Sequence, residues 1–348
     1  MADYIIKVEG LFSTSVFYRQ ILKELHSCLQ QSKENRVVFD FTETTYIDAL
    51  VIPNLLCVGY IIRSTTNKTP VIARMNNSIY TYKTNIMQYL YDIGFIKHAR
   101  NYGLFEIHDY NIDKNKKIIP EYCTTFCFNN TGQSKEQIAE QINIESGKLF
   151  SEHLKEYFDD DEIFGYKNIF AKFAAELCNN SAVHGESFSF MTIQSNREQG
   201  KVSIAVSDCG CGFYESLCKR LENNTLDRPL LTISDDEFLD KTSENLSLHS
   251  IIECTFYRYF DKAYGIWDIA RTVLKSGGVV RIHSNDSRII LTPNMFPLIL
   301  ELCKSPEELR NILLIQFLER KDYNFITGLK FGGVHFEIEM PMKNRGWA

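Results

Sequence analysis

One short segment of the chain combines side chains that could hold a metal ion and move a proton. In AAELCNNSAVHGES, residues 174–187, Glu176 and Asn180 are four positions apart, and His184 and Gly185 follow. Residues at that spacing share one face of a helix, so both side chains could reach one small ligand. An amide oxygen suits Mg²⁺, which takes few protein ligands beside substrate phosphates, and a carboxylate one turn away could act as a general base. Taken alone, such a pair is more often a solvated polar face.

A second group of suggestive residues follows a strand pattern. The segment KVSIAVSD, residues 201–208, alternates apolar residues with small or polar ones, which is typical of a half-buried strand, and it runs into DCGCG. Asp208 at the strand end could accept a hydrogen bond from an exocyclic amine such as that of adenine. Gly210 and Gly212 would let the backbone lie close to a planar ring. For this motif alone, a glycine-rich turn after an edge strand is the better interpretation.

A third element, GIWDIARTVLKSGGVVRIHS, predicts a helix that begins after Gly265 and ends at Gly277, followed by a strand. A glycine at a helix start lets backbone amides face a polyphosphate, and the helix dipole favours the negative charge. Ordinary helix punctuation, with Gly277 and Gly278 as a C-terminal cap, explains the same pattern.

These elements require a scaffold, and the 348 residues are enough for two domains. Strand and helix patterns alternate in the first third of the chain, which predicts an α/β sandwich with a largely parallel sheet. The charged stretch DKNKKIIP marks a linker. We therefore expect domains at 1–112 and 118–348, joined by a linker at 113–117. The weak, polar pattern between Gly212 and Tyr264 predicts a mobile cover.

Bulk properties exclude several classes of protein. The formal net charge of −6 disfavours nucleic acid as a direct ligand, because phosphate neutralisation requires a surplus of basic residues. The longest apolar run, ALVIPNLLCVGYII, is too short to cross a bilayer. The first residues lack a signal-peptide pattern, so we expect a cytoplasmic protein without membrane contact, whose ten cysteines are reduced thiols. The cysteine spacings do not match a zinc site.

In their order along the chain, four segments resemble the boxes of the GHKL superfamily of ATPases. ELCNNSAVHG is similar to the asparagine box, DCGCG to the first glycine box, GIWDIARTVLKSGG to the second and GGVHFEIEMP to the closing strand. The anti-sigma-factor serine kinase branch is the most similar, because it shares the pattern of Glu, Asn and then His-Gly. The resemblance covers roughly residues 118–342.

This resemblance implies an α+β two-layer sandwich of the Bergerat type that binds ATP and Mg²⁺. Glu176 would be the general base, Asn180 the magnesium ligand and Asp208 the residue that recognises adenine. The nucleotide site would comprise Asn180, His184, Asp208, Gly210, Gly212 and Gly265. The chain departs from the family at Ala263, where a glycine is usual, at Val334, where a threonine is common, and in an insertion at 286–325. The departures bear on rapid turnover more than on ATP binding.

The first domain resembles the STAS domain of anti-sigma-factor antagonists through RVVFDFTETTYIDALVIPNLL. In that family the switch aspartate precedes a phosphorylatable serine or threonine, whereas here Asp48 precedes Ala49 and Leu50. The resemblance therefore implies a smaller STAS-like α/β sandwich without the phosphoswitch, although Thr44 and Thr45 lie close by. We expect it to serve as a docking or dimerisation surface.

Three functions remain open. The chain could be a magnesium-dependent ATP-binding, ATP-hydrolysing switch whose nucleotide state gates a surface for a protein partner or a second copy. It could instead be a protein serine/threonine kinase of the anti-sigma type, with Glu176 acting toward a hydroxyl. Finally, it could be a non-catalytic interaction module that holds nucleotide structurally. Glu176 disfavours the third function, since a structural site needs no base. The missing acceptor at Ala49 weakens the second in self-contained form, so we expect an enzyme of the first kind.

Overall fold

A computed structural model provides the structure of the chain. It describes residues 3–31, 36–65, 70–75, 85–107, 112, 115, 122–129, 134–148, 188–196, 199–260, 265–295, 303–320 and 324–342. Within these ranges, every helix is too short or too polar to cross a membrane.

Strands and helices alternate in the first part of the chain, as the sequence predicts. The elements are β1 (Asp3–Lys7), β2 (Gly10–Phe12), α1 (Thr14–Val16), a π-helical turn (Phe17–Ile21), α2 (Leu22–Gln31), β3 (Arg36–Phe41), β4 (Thr44–Ile47), a 3₁₀ turn (Ala49–Val51), α3 (Ile52–Thr65), β5 (Val71–Met75), α4 (Ile86–Asp92), α5 (Phe95–Asn101) and β6 (Phe105–Ile107).

This first part forms a parallel sheet in the order β1-β3-β5-β6, beside a short parallel ribbon of β2 and β4. Its central strands are apolar on both faces, as parallel strands covered by helices usually are. The first two turns of helix α3, from Ile52 to Gly59, are buried. The expectation of a largely parallel sheet is confirmed.

The second part contains longer strands. Its elements are β7 (Cys123–Asn129), α6 (Lys135–Lys148), β8 (Phe188–Asn196), β9 (Lys201–Asp208), α7 (Gly212–Glu222), α8 (Asp235–Leu239), α9 (Leu246–Phe256), α10 (Ile266–Lys275), β10 (Val279–Leu291), a 3₁₀ turn (Pro293–Met295), α11 (Pro306–Leu313), a π-helical turn (Leu314–Glu319) and β11 (Asn324–Pro341).

The five long strands form an antiparallel sheet in the order β10-β11-β9-β8-β7. Helices α9, α10 and α11 pack on one face, where Ile252, Ala270 and Leu313 join the apolar side chains of β9 and β10 in one core. The chain therefore combines a parallel and an antiparallel sheet and is broadly α+β.

One prediction for the second part was wrong. The segment from Gly212 to Tyr264 was expected to be a mobile cover, but three helices lie within it, and Leu248, Ile251 and Phe256 of α9 are fully buried. Helix α9 is buried on most sides and therefore lacks the polar face that gives an amphipathic helix its periodicity in the sequence. The segment 286–325, expected to be an insertion relative to the GHKL family, contains the end of β10, helix α11 and the start of β11, and α11 packs into the same core; its status as an insertion stays a prediction.

Strand β9 is buried on both faces, which differs from the half-buried strand that its alternation predicts. Val202, Ile204 and Val206 face the core under the helices. The alternate residues, including Ser203 and Ser207, are also buried, because α3 and the 3₁₀ turn of the first part pack against this side of the sheet. Small residues suit a face on which a helix approaches closely.

Candidate functional site

Asp208 is the last residue of the central strand β9 and is only 3% exposed. Its Oδ1 accepts a hydrogen bond from the backbone N–H of Gly210 at 2.7 Å, and its Oδ2 accepts one from the N–H of Val334 at 3.1 Å. The first bond closes a tight turn, and the second fixes the carboxylate to β11. Val334 is the position where the resemblance leads one to expect a threonine. The carboxylate is thus held in one orientation by two backbone donors.

The turn after Asp208 has little free space around its second glycine. Gly212 has φ of +83°, a left-handed conformation that favours glycine. A Cβ at this position would lie 2.7 Å from Oδ1 of Asn285 and 2.9 Å from Oγ of Ser284. The close approach that requires glycine at 212 is therefore to strand β10 of the same chain. Gly210 contributes the N–H that bonds to Asp208.

Gly265 directly precedes α10, as the sequence predicts, and its backbone is extended. A Cβ there would meet Arg258 at 3.5 Å, an ordinary contact, so packing among the described residues does not demand a glycine. Asp268 in the first turn already places a negative charge near the positive end of the helix dipole. At the other end, the predicted cap is confirmed, because Gly277 has φ of +82° and its N–H bonds to the carbonyl of Leu274.

The remaining predicted site residues lie outside the described residues. Glu176, Asn180 and His184 fall within 149–187, and Ala263 falls within 261–264. The structure therefore brings together Asp208, Gly210 and Gly212 with Val334, whereas the base and the magnesium ligand stay predictions.

A cavity of about 380 Å³ lies beside this turn, between α7, the start of α9 and the bend of β10. It is lined mainly by polar side chains, among them Lys241, Ser243, Asn245, Ser247, Asn285 and Lys330. Sequence reasoning missed this cavity, because its residues come from segments far apart in the chain and form no motif.

One wall of the cavity carries an ion pair. Nζ of Lys330 lies 2.6 Å from Oε1 of Glu215, and Nδ2 of Asn285 donates to Oε2 of the same carboxylate at 3.0 Å. Burial alone would raise the pKa of Glu215, but these two hydrogen bonds, a backbone hydrogen bond of Glu215 and the charge of Lys330 together hold the pKa below its usual value. Glu215 therefore stays ionised and offsets the charge of Lys330.

A buried carboxylate in α9 organises the segment before it. Glu253 is 1% exposed, and its side chain accepts hydrogen bonds from the N–H of Leu231 at 2.8 Å and of Thr232 at 2.6 Å. The Thr232 hydroxyl also donates to Glu253 at 2.6 Å and lies 2.9 Å from Nδ1 of His249. Burial raises the pKa of Glu253 and lowers that of His249. The cluster ties the loop at 226–234 to α9, and no spacing in the sequence indicates it.

The structure also defines the environment of the predicted switch position in the first part. Asp48 caps the 3₁₀ turn, since its Oδ1 accepts from the N–H of Leu50 at 3.0 Å, and Ala49 is buried. The Thr44 hydroxyl donates to the carbonyl of Val8 at 2.5 Å, whereas Thr45 is exposed. Of the two nearby threonines, Thr44 is already committed to a backbone partner.

Comparison of the chain with protein-family models, with curated proteins and with solved structures gave no match.

Proposed function

We propose that this chain is a magnesium-dependent, ATP-binding and ATP-hydrolysing regulatory protein of the cytoplasm. Its nucleotide state would change a surface used by a protein partner or by a second copy. The proposal includes a specific fold, in which a STAS-like domain precedes an ATP-binding domain of the Bergerat type. The ATP-binding part rests on the resemblance of four segments, in their order along the chain, to the GHKL boxes.

The geometry of Asp208 is the observation that carries the proposal. Recognition of adenine requires a hydrogen-bond acceptor whose orientation is fixed before binding, because a preorganised acceptor loses little conformational entropy when it bonds to the exocyclic amine. The carboxylate of Asp208 is buried and bonded to the N–H groups of Gly210 and Val334. The arrangement fits the adenine half of ATP.

The cavity beside the turn carries charges of both signs. Lys241, Lys330 and Asp286 line it, and Lys330 is paired with Glu215, so the phosphate-binding part of the proposal rests on the resemblance. In the proposal, Asn180 holds Mg²⁺ beside the phosphates and Glu176 takes a proton from the attacking water. Both roles come from the resemblance.

A protein serine/threonine kinase is the alternative, and the structure limits what its substrate could be. Ala49, at the position of the acceptor in STAS domains, has no hydroxyl, and Thr44 bonds to the carbonyl of Val8. Ala49 and Thr44 are therefore unsuited as acceptors, which leaves the exposed Thr45 or a hydroxyl of a separate protein. A non-catalytic nucleotide-holding module is the further alternative.

Incubation of the purified chain with Mg²⁺ and ATP labelled at the terminal phosphate separates these functions. The proposal expects ATP to bind in preference to GTP and the label to appear as free phosphate. Label on an added protein would favour the kinase. Bound ATP without any turnover would favour the non-catalytic module, and absence of ATP binding at millimolar concentration would contradict the proposal.

A further inference from the structure

Helix α3 of the first part contacts strand β9 directly behind Asp208. Asn54 in α3 is 1% exposed, and its Oδ1 accepts a hydrogen bond from Oγ of Ser207 at 2.6 Å. Its Nδ2 donates to the hydroxyl of Tyr18 at 3.0 Å. Ser207 is the residue immediately before Asp208 and is also buried. A buried amide and a buried hydroxyl thus satisfy each other across the two parts of the chain.

The residue after Asp208 is held from the same helix. Cys57 lies three positions after Asn54 in α3, so the two side chains share a helix face. Cys209 packs against the core cluster that contains Cys57, and each thiol influences the pKa of the other. Helix α3 therefore lies beside both chain neighbours of Asp208.

Side-chain alternation explains how these contacts reach the candidate site. Successive residues of a strand point to opposite faces, so the side chain of Asp208 lies on the face of Val206, under the helices, while Ser207 points to α3. The contacts with α3 act on the backbone behind the carboxylate. The bonds from Gly210 and Val334 orient the carboxylate from the other side.

The same network continues to the far edge of the sheet. The ring of Tyr18, which accepts the hydrogen bond from Asn54, stacks on His283 of β10 with ring centroids 4.4 Å apart. Asn54 is therefore linked both to the central strand β9 and to β10. A shift of α3 would leave buried polar groups of Ser207 and Tyr18 without partners, which is unfavourable because a buried polar group that loses its hydrogen bond keeps its desolvation penalty.

We infer that Asn54 is a positioning residue for Asp208. Through Asn54, the packing of the first part on the sheet sets the orientation of the Asp208 carboxylate, and this orientation sets the affinity for adenine nucleotide. The inference rests on the proposed function. Because coupling between two sites is reciprocal, bound ATP tightens the packing of α3, and a partner that draws α3 away from the sheet releases ATP. The first part is then a built-in regulator of the nucleotide site.

The test compares the full-length wild type with Asn54→Leu, Ser207→Ala and a control, Thr192→Val. Thr192 is buried in the same sheet, and its hydroxyl bonds to Thr125 at 3.0 Å, away from Asp208. All three changes remove a buried hydrogen bond and should lower stability. Ser207→Ala, the mildest of the three, keeps the test valid if Asn54→Leu fails to fold. Affinities for ATP and GTP are measured by equilibrium dialysis, and hydrogen exchange is followed in residues 52–65.

We expect Asn54→Leu and Ser207→Ala to bind ATP about tenfold more weakly and to lose discrimination against GTP. Thr192→Val should keep both properties within about twofold, because a loss of stability alone does not change them in folded protein. ATP should protect residues 52–65 from exchange in the wild type only. If the wild type binds ATP and the variants bind it equally well, the inference is wrong and the proposed function stands. If the wild type does not bind ATP, both are wrong.

Discussion

Arg288 and Glu337 form an ion pair across strands β10 and β11, with 2.7 Å between Nη2 and Oε2. The two side chains are only 8% and 3% exposed. The Thr14 hydroxyl of the first part donates to the same Oε2 at 3.0 Å, and the guanidinium of Arg288 lies over the ring of Tyr18. The pair is thus buried where the first part packs on the antiparallel sheet.

Arg288→Met should lower the free energy of unfolding by about 3–5 kcal/mol, because Glu337 would remain buried without its main counter-ion. The double variant Arg288→Met/Glu337→Leu should recover most of this loss, since it removes both charges. Urea unfolding followed by circular dichroism measures the effect. Arg36→Met is the control, because the Arg36–Asp3 pair is exposed and should contribute about 1 kcal/mol or less. A similar loss in both single variants would contradict the assigned role of burial.

Acidification should destabilise the same interface through two histidines. Burial lowers the pKa of His283 well below its usual value, helped by the nearby His335 and the guanidinium of Arg288, and burial lowers the pKa of His335 to about 3. The unfolded chain therefore binds more protons than the folded chain below about pH 6.5. The stability that depends on both histidines being neutral is fully present above about pH 6.5. It is lost as the pH falls toward the pKa values that the histidines have in the folded chain.

Between pH 6.5 and 5.5, each histidine should remove about 1 kcal/mol of stability. Glu337 acts in the opposite direction, because burial raises its pKa. The variant His283→Phe keeps a ring that can stack on Tyr18 but cannot bind a proton. Its comparison with the wild type therefore isolates the contribution of His283 to the pH dependence of stability. We expect the variant to show a shallower fall in urea-unfolding stability over this range. If stability falls equally with pH in the two proteins, His283 does not contribute to the pH dependence.

Asp208→Asn should weaken ATP binding and reduce discrimination against GTP. An asparagine keeps one acceptor for Gly210 but turns an NH₂ group toward the N–H of Val334, so two donors face each other. The expected loss is on the order of a few kcal/mol. Asp240→Asn is the matched control, because Asp240 makes the same kind of turn with the N–H of Thr242 at 3.0 Å on the surface. Wild-type affinity and selectivity in Asp208→Asn would overturn the adenine assignment.

Asn180→Ala should abolish the magnesium dependence of ATP binding or turnover, because the amide oxygen of Asn180 is the proposed protein ligand. Titration with Mg²⁺ at fixed ATP concentration measures the effect. Asn179→Ala, its direct neighbour, should retain the dependence of the wild type. Identical titration curves for wild type and Asn180→Ala would argue against the ligand role.

The fold was predictable wherever local patterns agree with tertiary structure. The bounds of β9 follow from its alternation, and α10 lies between its flanking glycines. The continuation of β10 beyond Ser284 was not predictable, because the strand bends through a bulge where Asn285 has φ of +57°. Such a bend depends on contacts across the sheet that leave no periodic trace in the sequence.

The sequence indicates the aspartate at the strand end of the candidate site. It does not indicate the residues that pack around that aspartate. Asp208 follows a clear strand pattern and precedes two glycines, which is a local signal. The bond between Asn54 and Ser207 joins residues 153 positions apart, and neither residue type is unusual in its own segment. The burial of Glu253 depends in the same way on backbone groups of a distant loop.

The central claim is that this chain hydrolyses ATP with Glu176 as the general base. The most direct test is the rate at which the Glu176→Gln variant releases the terminal phosphate in a single turnover. Glutamine keeps the shape and hydrogen bonding of the side chain but cannot take a proton. The account predicts near-normal ATP affinity with phosphate release slowed by about a hundredfold or more, since a general base contributes to rate and little to binding. Glu186→Gln, in the same segment, should release phosphate like the wild type. Wild-type turnover by Glu176→Gln would contradict the account.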